Sequence, residues 1–129
     1  MLKVKNLHSY YGKSHILQGI NLSIEEGEIV SLLGRNGVGR STFIKSIMGM
    51  VKTEGSILFN NKEIMGRPIH EIANLGIGYV SENRDIFPDL TVQENLELGK
   101  KENKYGIKWN LEELFDLFPN LKNRIDVLG

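Results

Sequence analysis

One stretch, Gly34-Arg35-Asn36-Gly37-Val38-Gly39-Arg40-Ser41-Thr42, restricts what this chain can fold into more than any other. It follows the apolar run Ile29-Val30-Ser31-Leu32-Leu33 and precedes Phe43-Ile44-Lys45-Ser46-Ile47-Met48. The order reads as a buried strand, a glycine-rich turn and a helix that starts near Gly39. Glycine has no Cβ, so such a turn can take positive φ and let several N–H groups converge on one anion. The helix that follows adds its unpaired N-terminal N–H groups and the positive end of its dipole. The local chemistry is that of a phosphate cradle.

The spacing matches Gly-x4-Gly-basic-Ser, the P-loop or Walker A signature, with Arg40 where lysine is the rule. In such a loop the Ser41 hydroxyl is placed to ligate Mg²⁺ and the basic side chain reaches the terminal phosphates. The plainer alternative is a glycine-rich turn that only joins strand to helix. Two glycines and a hydroxyl at fixed offsets favour phosphate binding. A guanidinium is a planar fork and an ammonium a compact point charge, so the Arg40 exchange is not conservative. It bears on catalysis more than on binding.

The chain has 129 residues, one domain at most. Lys plus Arg and Asp plus Glu both number 16. With no basic field, broad attraction to nucleic acid or to a lipid surface is not expected. Cysteine is absent, which fits a reducing cytosol. No window approaches the roughly 18 apolar residues that span a bilayer, and Met1-Leu2-Lys3-Val4-Lys5 carries no signal-peptide apolar region. Any membrane role is expected to come through a partner, without direct insertion.

Taken in order, Leu2 to Leu7 reads as a strand with two-faced exposure, and Ile16 to Ile24 as a second, ending in a Glu25–Glu28 turn. Ile29 to Leu33, nearly all apolar, is expected to be a buried central strand. Gly49 and Gly55 bracket a loop. Ser56 to Phe59, Asn60-Asn61 and Lys62 to Ile64 read as a hairpin whose asparagines tolerate left-handed backbone. Pro68 to Asn74 is a short helix, and Gly76 to Val80 another short buried strand. After a loop from Ser81 to Leu90, Thr91 and Glu94 form a capping box that opens a helix to about Gly99. Lys100 to Lys108 is charged and expected to be exposed. Leu111, Leu114, Phe115, Leu117 and Phe118 lie on one helical face, which Pro119 stops, and Leu121 to Gly129 finishes no obvious element.

Four segments in this order resemble the ATP-binding subunit of ABC transporters, most closely that of branched-chain amino acid importers. They are Tyr11-Gly12, Gly34 to Thr42, Tyr79-Val80-Ser81-Glu82-Asn83-Arg84, and Ile86-Phe87-Pro88-Asp89-Leu90-Thr91-Val92-Gln93-Glu94-Asn95-Leu96. The likeness runs along essentially the whole chain. It implies an α/β, P-loop NTPase-like fold: N-terminal antiparallel strands plus part of a parallel core sheet with flanking helices. It further implies ATP and Mg²⁺ as cofactors, a second ATP-binding subunit, and membrane permease subunits met through Asp85 to Leu90. The location implied is the cytoplasmic face of the cell membrane, held there by partner subunits.

Residue by residue, Tyr11 matches the family's adenine-stacking aromatic; as an ordinary tyrosine it would suit the core of the first hairpin. Gly34, Arg35, Asn36, Gly37, Val38, Gly39, Arg40, Ser41 and Thr42 match the phosphate loop, with Ser41 on Mg²⁺. Glu82 stands at the Q-loop position, where its oxygen suits the metal; it reads equally as a solvated loop carboxylate. Ile86, Phe87 and Pro88 fall where the family meets its membrane subunit, or else pack on a neighbouring helix.

Other family motifs do not occur. No Leu-Ser-Gly-Gly-type signature, Walker B strand with its adjacent glutamate, or switch histidine is found. Asp126 follows Ile125, but Asn123 and Arg124 ahead of it do not read as a buried strand and no acidic residue comes directly after it; His8, His15 and His70 all precede the position required. The resemblance therefore implies a partial nucleotide-binding domain over 1–129, about the first half of a subunit, with long apolar sheet edges exposed. Phosphoryl transfer needs a carboxylate on the metal and a group to orient water. The chain is thus expected to be the ATP-binding subunit of an importer, here partial and without turnover alone. The alternative is a truncated, non-catalytic module that keeps nucleotide or permease binding.

Overall fold

The computed structural model describes residues 1–83, 85–100 and 110–129. It divides into two compact units, Met1–Val80 and Ser81–Gly129.

The first unit is built on a four-stranded antiparallel sheet in the order β2-β1-β3-β4. Strand β1 spans Leu2–Tyr11, β2 Ser14–Ile24, β3 Lys52–Phe59 and β4 Lys62–Glu63. Leu2 and Val4 point into the core, and so do Leu7 and Ser9. The change of phase from even to odd positions falls at Asn6, where φ is 47° and the register with both neighbours shifts. One extra residue in a strand does this to the side-chain alternation. Gly55 of β3 lies beside the same irregularity, where an added Cβ would collide with the Asn6 carbonyl. Gly55 is thus a strand residue, not the end of a loop as expected. The β3–β4 turn has Asn60 and Asn61 at φ 47° and 61°, the paired left-handed residues of a tight hairpin.

Helix α1, Arg40–Ile47, packs on the sheet through Phe43, Ile47 and Met48. A buried polar pair fixes its seat. Ser46 Oγ donates to the Thr42 carbonyl (2.7 Å), and the Ser9 hydroxyl of β1 lies 2.8 Å from Ser46 Oγ. Gly49 ends the helix in the left-handed region, with Gly49 N and Met50 N donating to the Ser46 and Lys45 carbonyls. That closure needs glycine. Helix α2, Ile69–Asn74, follows Pro68 and buries Ile72.

Two expected strands are not formed. Ile29–Leu33 and Gly76–Val80 run without ladder pairing, and residues 29–34 and 77–80 make no backbone hydrogen bond to described residues. Ile77 and Tyr79 pack against the core, and with Val30, Leu32, Phe43 and Met48 they line an apolar cleft of about 210 Å³. Ile29 is 95% exposed, Leu33 91% and Val80 88%. The reason is physical: an apolar segment becomes a parallel strand only where neighbours meet its edges and layers cover both faces. The antiparallel part of the expected fold is present; of the parallel core, these two unpaired segments are what the described residues contain.

The second unit holds helices α3 (Val92–Leu98), α4 (Leu111–Leu117) and the single turn α5 (Pro119–Lys122). The Thr91–Glu94 capping box forms as expected, and α4 has its own in Asn110 and Glu113. Pro119 stops α4 and opens α5. The final residues, expected to form nothing, return to α3. Val127 O and Ile125 O accept the amides of Val92 and Gln93 at 2.9 and 3.0 Å, and Gly129 N donates to Leu90 O at 3.0 Å. The charged stretch 101–108 and Arg84 lie outside the described residues. Among those described, no helix is long and apolar enough to cross a membrane.

Candidate functional site

The loop from Gly34 to Thr42 hangs between the Ile29–Leu33 segment and α1, and its shape follows from its glycines. Gly37 and Gly39 have φ 80° and 104°, a conformation that side chains with a Cβ rarely adopt. At Gly34 a Cβ would lie 2.8 Å from Val38 Cγ1, so the loop folds closely on itself. Val38 N donates to Arg35 O at 3.3 Å, and Phe43 N to Gly39 O at 2.8 Å, the first closed turn of α1. The backbone amides of Gly37, Gly39, Arg40 and Thr42 make no hydrogen bond to described residues. That is a nest of available N–H groups at the head of a helix, the geometry that receives an anion.

The loop is held from beneath. A Cβ on Gly39 would meet Leu17 Cδ2 at 2.8 Å and Ile16 Cγ2 at 3.2 Å, so the Gly39 backbone rests against the start of β2. By register, β2 also pairs Ser14 with Tyr11 at the end of β1. Tyr11 is 48% exposed, which counts against a core role.

Electrostatically the loop is a cationic end. The first turn of α1 has no acidic residue, and neither Arg35 nor Arg40 forms a salt bridge among the described residues. The Arg40 guanidinium turns back over the loop, and its Nη2 donates to Asn36 Oδ1 at 3.0 Å. Ser41 is exposed and Thr42 nearly buried. Polyphosphate with a divalent cation fits these residues: amides for the phosphate, a hydroxyl at Ser41 for the metal, a guanidinium for the remaining charge. No group of three or more metal-ligating His, Cys, Asp or Glu side chains occurs among the described residues.

Glu82 is exposed and belongs to the second unit. The phosphate-loop residues all lie in the first unit. The Asp85–Leu90 segment is ordered by its own unit, with Ile86 57% and Phe87 61% exposed. Asp85 N donates to Ser81 Oγ at 3.0 Å. Asn95 of α3, to which sequence reasoning gave no role of its own, does most of the fixing. Its Oδ1 accepts Phe87 N at 2.9 Å, and its Nδ2 donates toward the carbonyls of Phe87, Leu90 and Thr91 at 3.0 to 3.1 Å. A polar residue one place after the Glu of a capping box was the only signal available.

With this geometry established, comparison with known proteins is informative. The family model for ABC transporters matches residues 17–127. The high-affinity branched-chain amino acid transport ATP-binding protein BraG of Pseudomonas aeruginosa is 35% identical, over 98% of this chain and 55% of its own length. The galactose/methyl galactoside import ATP-binding protein MglA of Treponema denticola is 36% identical, over 98% of this chain and 26% of its own. Among solved structures, a dimeric ATP-binding cassette in a post-hydrolysis state with ADP and phosphate superposes with a TM-score of 0.76 at 27% identity, covering 100% of this chain and 62% of that one. An ATP-binding subunit of an ABC transporter gives 0.79 at 28%, covering 98% and 53%. The chain spans about half the length of the branched-chain relatives it matches.

Proposed function

The chain belongs to the ABC transporter family, and from that premise we propose that it binds ATP with Mg²⁺ at Gly34–Thr42 as part of an importer's ATP-binding subunit. The observation that carries this is the set of unengaged amides at Gly37, Gly39, Arg40 and Thr42, presented at the head of α1. In this reading those amides and Arg40 hold the phosphates, Ser41 contributes a hydroxyl to the metal, and the half-exposed Tyr11 ring stacks on the base. Bound Mg²⁺ would neutralise phosphate charge, as it does wherever phosphoryl groups are transferred.

Within the family, substrates of relatives differ; one is named for branched-chain amino acids and another for galactosides. The Ile86–Leu96 pattern supports a branched-chain amino acid importer. Asp85 to Leu90 would meet a membrane permease, which would hold the subunit at the inner face of the membrane beside a second ATP-binding subunit. Glu82, on the same loop, is proposed as the residue that senses the metal once that assembly forms. Hydrolysis is proposed for the completed subunit, because this chain carries no Walker B carboxylate and no signature motif. Domain 1–129 would then be the nucleotide-binding front portion of it.

The test is a titration of the purified chain with ATP and Mg²⁺ by calorimetry, alongside a steady-state phosphate-release assay. Saturable binding that Ser41→Ala weakens, without turnover, is the expected result. Turnover that Ser41→Ala abolishes would overturn the non-catalytic state of the isolated chain. Absence of binding, in wild type and in Arg40→Lys alike, would overturn the phosphate site itself.

A further inference from the structure

Helix α1 opens with a cation at the wrong end. Arg40 is its first residue, where unpaired N–H groups and aligned peptide dipoles already concentrate positive charge. Nothing nearby offsets it: the first turn lacks a carboxylate, and Arg40 has no salt bridge among the described residues. An arginine free to choose would extend into water. Arg40 instead reaches back four residues and donates from Nη2 to Asn36 Oδ1 at 3.0 Å. The link spans Gly37 and Gly39, the two left-handed glycines that shape the nest, so the guanidinium is kept on the loop side of the helix end.

We propose that Asn36 is a positioning residue for Arg40, holding its guanidinium ready for the terminal phosphoryl group of a di- or triphosphate. The proposal rests on the phosphate reading of the loop given above. A guanidinium has five N–H donors in a fixed fork; Asn36 engages one and leaves a parallel pair for two oxygens of one phosphoryl group. Arginine has large rotamer freedom to lose on binding, and a side chain already tethered has lost part of it in advance. Asn36 is the natural tether because its amide oxygen accepts a hydrogen bond without adding a negative charge that would repel phosphate. An aspartate would grip Arg40 harder but stand as a second anion beside the ligand.

The test uses the full 129-residue chain in calorimetric titrations with inorganic pyrophosphate and with ATP, both with Mg²⁺, on wild type, Asn36→Ala, Arg40→Ala and the double variant. Circular dichroism melts confirm that each folds. Asn36→Ala is expected to weaken pyrophosphate binding about three- to tenfold, the equivalent of one hydrogen bond. In the Arg40→Ala background the same change should have no effect, because nothing remains to position. Unchanged or tighter binding in Asn36→Ala would overturn the proposal. So would an equal loss in both backgrounds, which would make Asn36 a prop of the loop rather than of Arg40. A wild-type chain that binds neither ligand refutes the phosphate reading itself, and the tether with it.

Discussion

Replacing Gly39 and Gly37 by alanine, one at a time, separates the two things a glycine does in this loop. Both have left-handed backbone, φ 104° and 80°, and forcing alanine there costs about 1–2 kcal/mol in either case. Alanine also narrows the unfolded ensemble by the same amount at both sites, about 0.4–1 kcal/mol in the opposite direction. To first order these terms cancel in the comparison, and what remains is contact. A Cβ at Gly37 meets nothing within 4 Å, whereas at Gly39 it lies 2.8 Å from Leu17 Cδ2 and 3.2 Å from Ile16 Cγ2. Leu17 is only 5% exposed, so its methyl has little room to retreat. Overpacking of this kind costs about 1–3 kcal/mol, and the low end applies because the struck atom is the tip of a side chain. Gly39→Ala should therefore be less stable than Gly37→Ala by about 1 kcal/mol, or about 4–8 °C in Tm for a unit of this size. Urea and thermal melts followed by circular dichroism measure it. Equal losses, or a larger loss at Gly37, would refute the view that the loop is seated on β2 through Gly39.

Three further outcomes follow from the same coordinates. Ser46→Ala leaves the Ser9 hydroxyl buried without its partner and should cost about 1–3 kcal/mol in urea melts, while the paired change Ser9→Ala with Ser46→Ala should recover part of that loss. Asn95→Ala removes the contacts that hold the segment from Phe87 to Thr91; hydrogen exchange at the Phe87 and Leu90 amides should accelerate at least tenfold, with amides of β1 unaffected. Glu63 is subject to burial that would raise its pKa, but hydrogen bonds from Ser56 Oγ and from the amides of Ile57 and Met65 outweigh it and hold its carboxyl below the usual glutamate value. A carboxylate held low in the folded state adds stability above its unfolded pKa, and that stability is lost as pH falls through the folded value. Glu63→Gln should therefore be less stable than wild type at pH 7 and lose less than wild type on acidification below about 4.5; parallel acid limbs in urea melts would refute the assignment.

Features set by neighbours in sequence were legible in the sequence; features set by neighbours in space were not. The glycine turn ahead of α1, the Asn60-Asn61 turn and the Thr91–Glu94 capping box are each closed by residues a few positions apart, and the backbone of all three forms as read. The phase change in β1 depends on how Asn6 meets β2 and β3, and nothing in Leu2 to Tyr11 announces it. The return of Ile125–Gly129 to α3 is long-range for the same reason, whereas Asn95 reaches only four to eight residues back and was missed because one asparagine side chain has many possible backbone partners. Ile29–Leu33 and Gly76–Val80 were over-read. Apolarity marks a segment able to join a core, but pairing and burial require partners that composition does not reveal.

The loop keeps its form although the segment leading into it has no ladder, and the reason lies in what anchors it. Ile29–Leu33 contributes Val30 and Leu32 to the lining of the apolar cleft and leaves Ile29 and Leu33 exposed. The cradle itself is fixed from two other directions. Gly39 rests on Ile16 and Leu17 of β2, and α1 is seated on β1 through Ser46 and Ser9, each an attachment to the antiparallel sheet rather than to a parallel one. That sheet is complete within Met1–Val80, with β1 paired on both edges. Anion binding and completion of the core are consequently separable in this chain. The first needs the sheet, α1 and the glycines, all present here. The second needs cover for Ile29, Leu33 and Val80, which the described residues do not supply. Affinity for nucleotide, as proposed above, should therefore be measurable in this chain by titration, because the residues that seat the loop all lie within Met1–Val80.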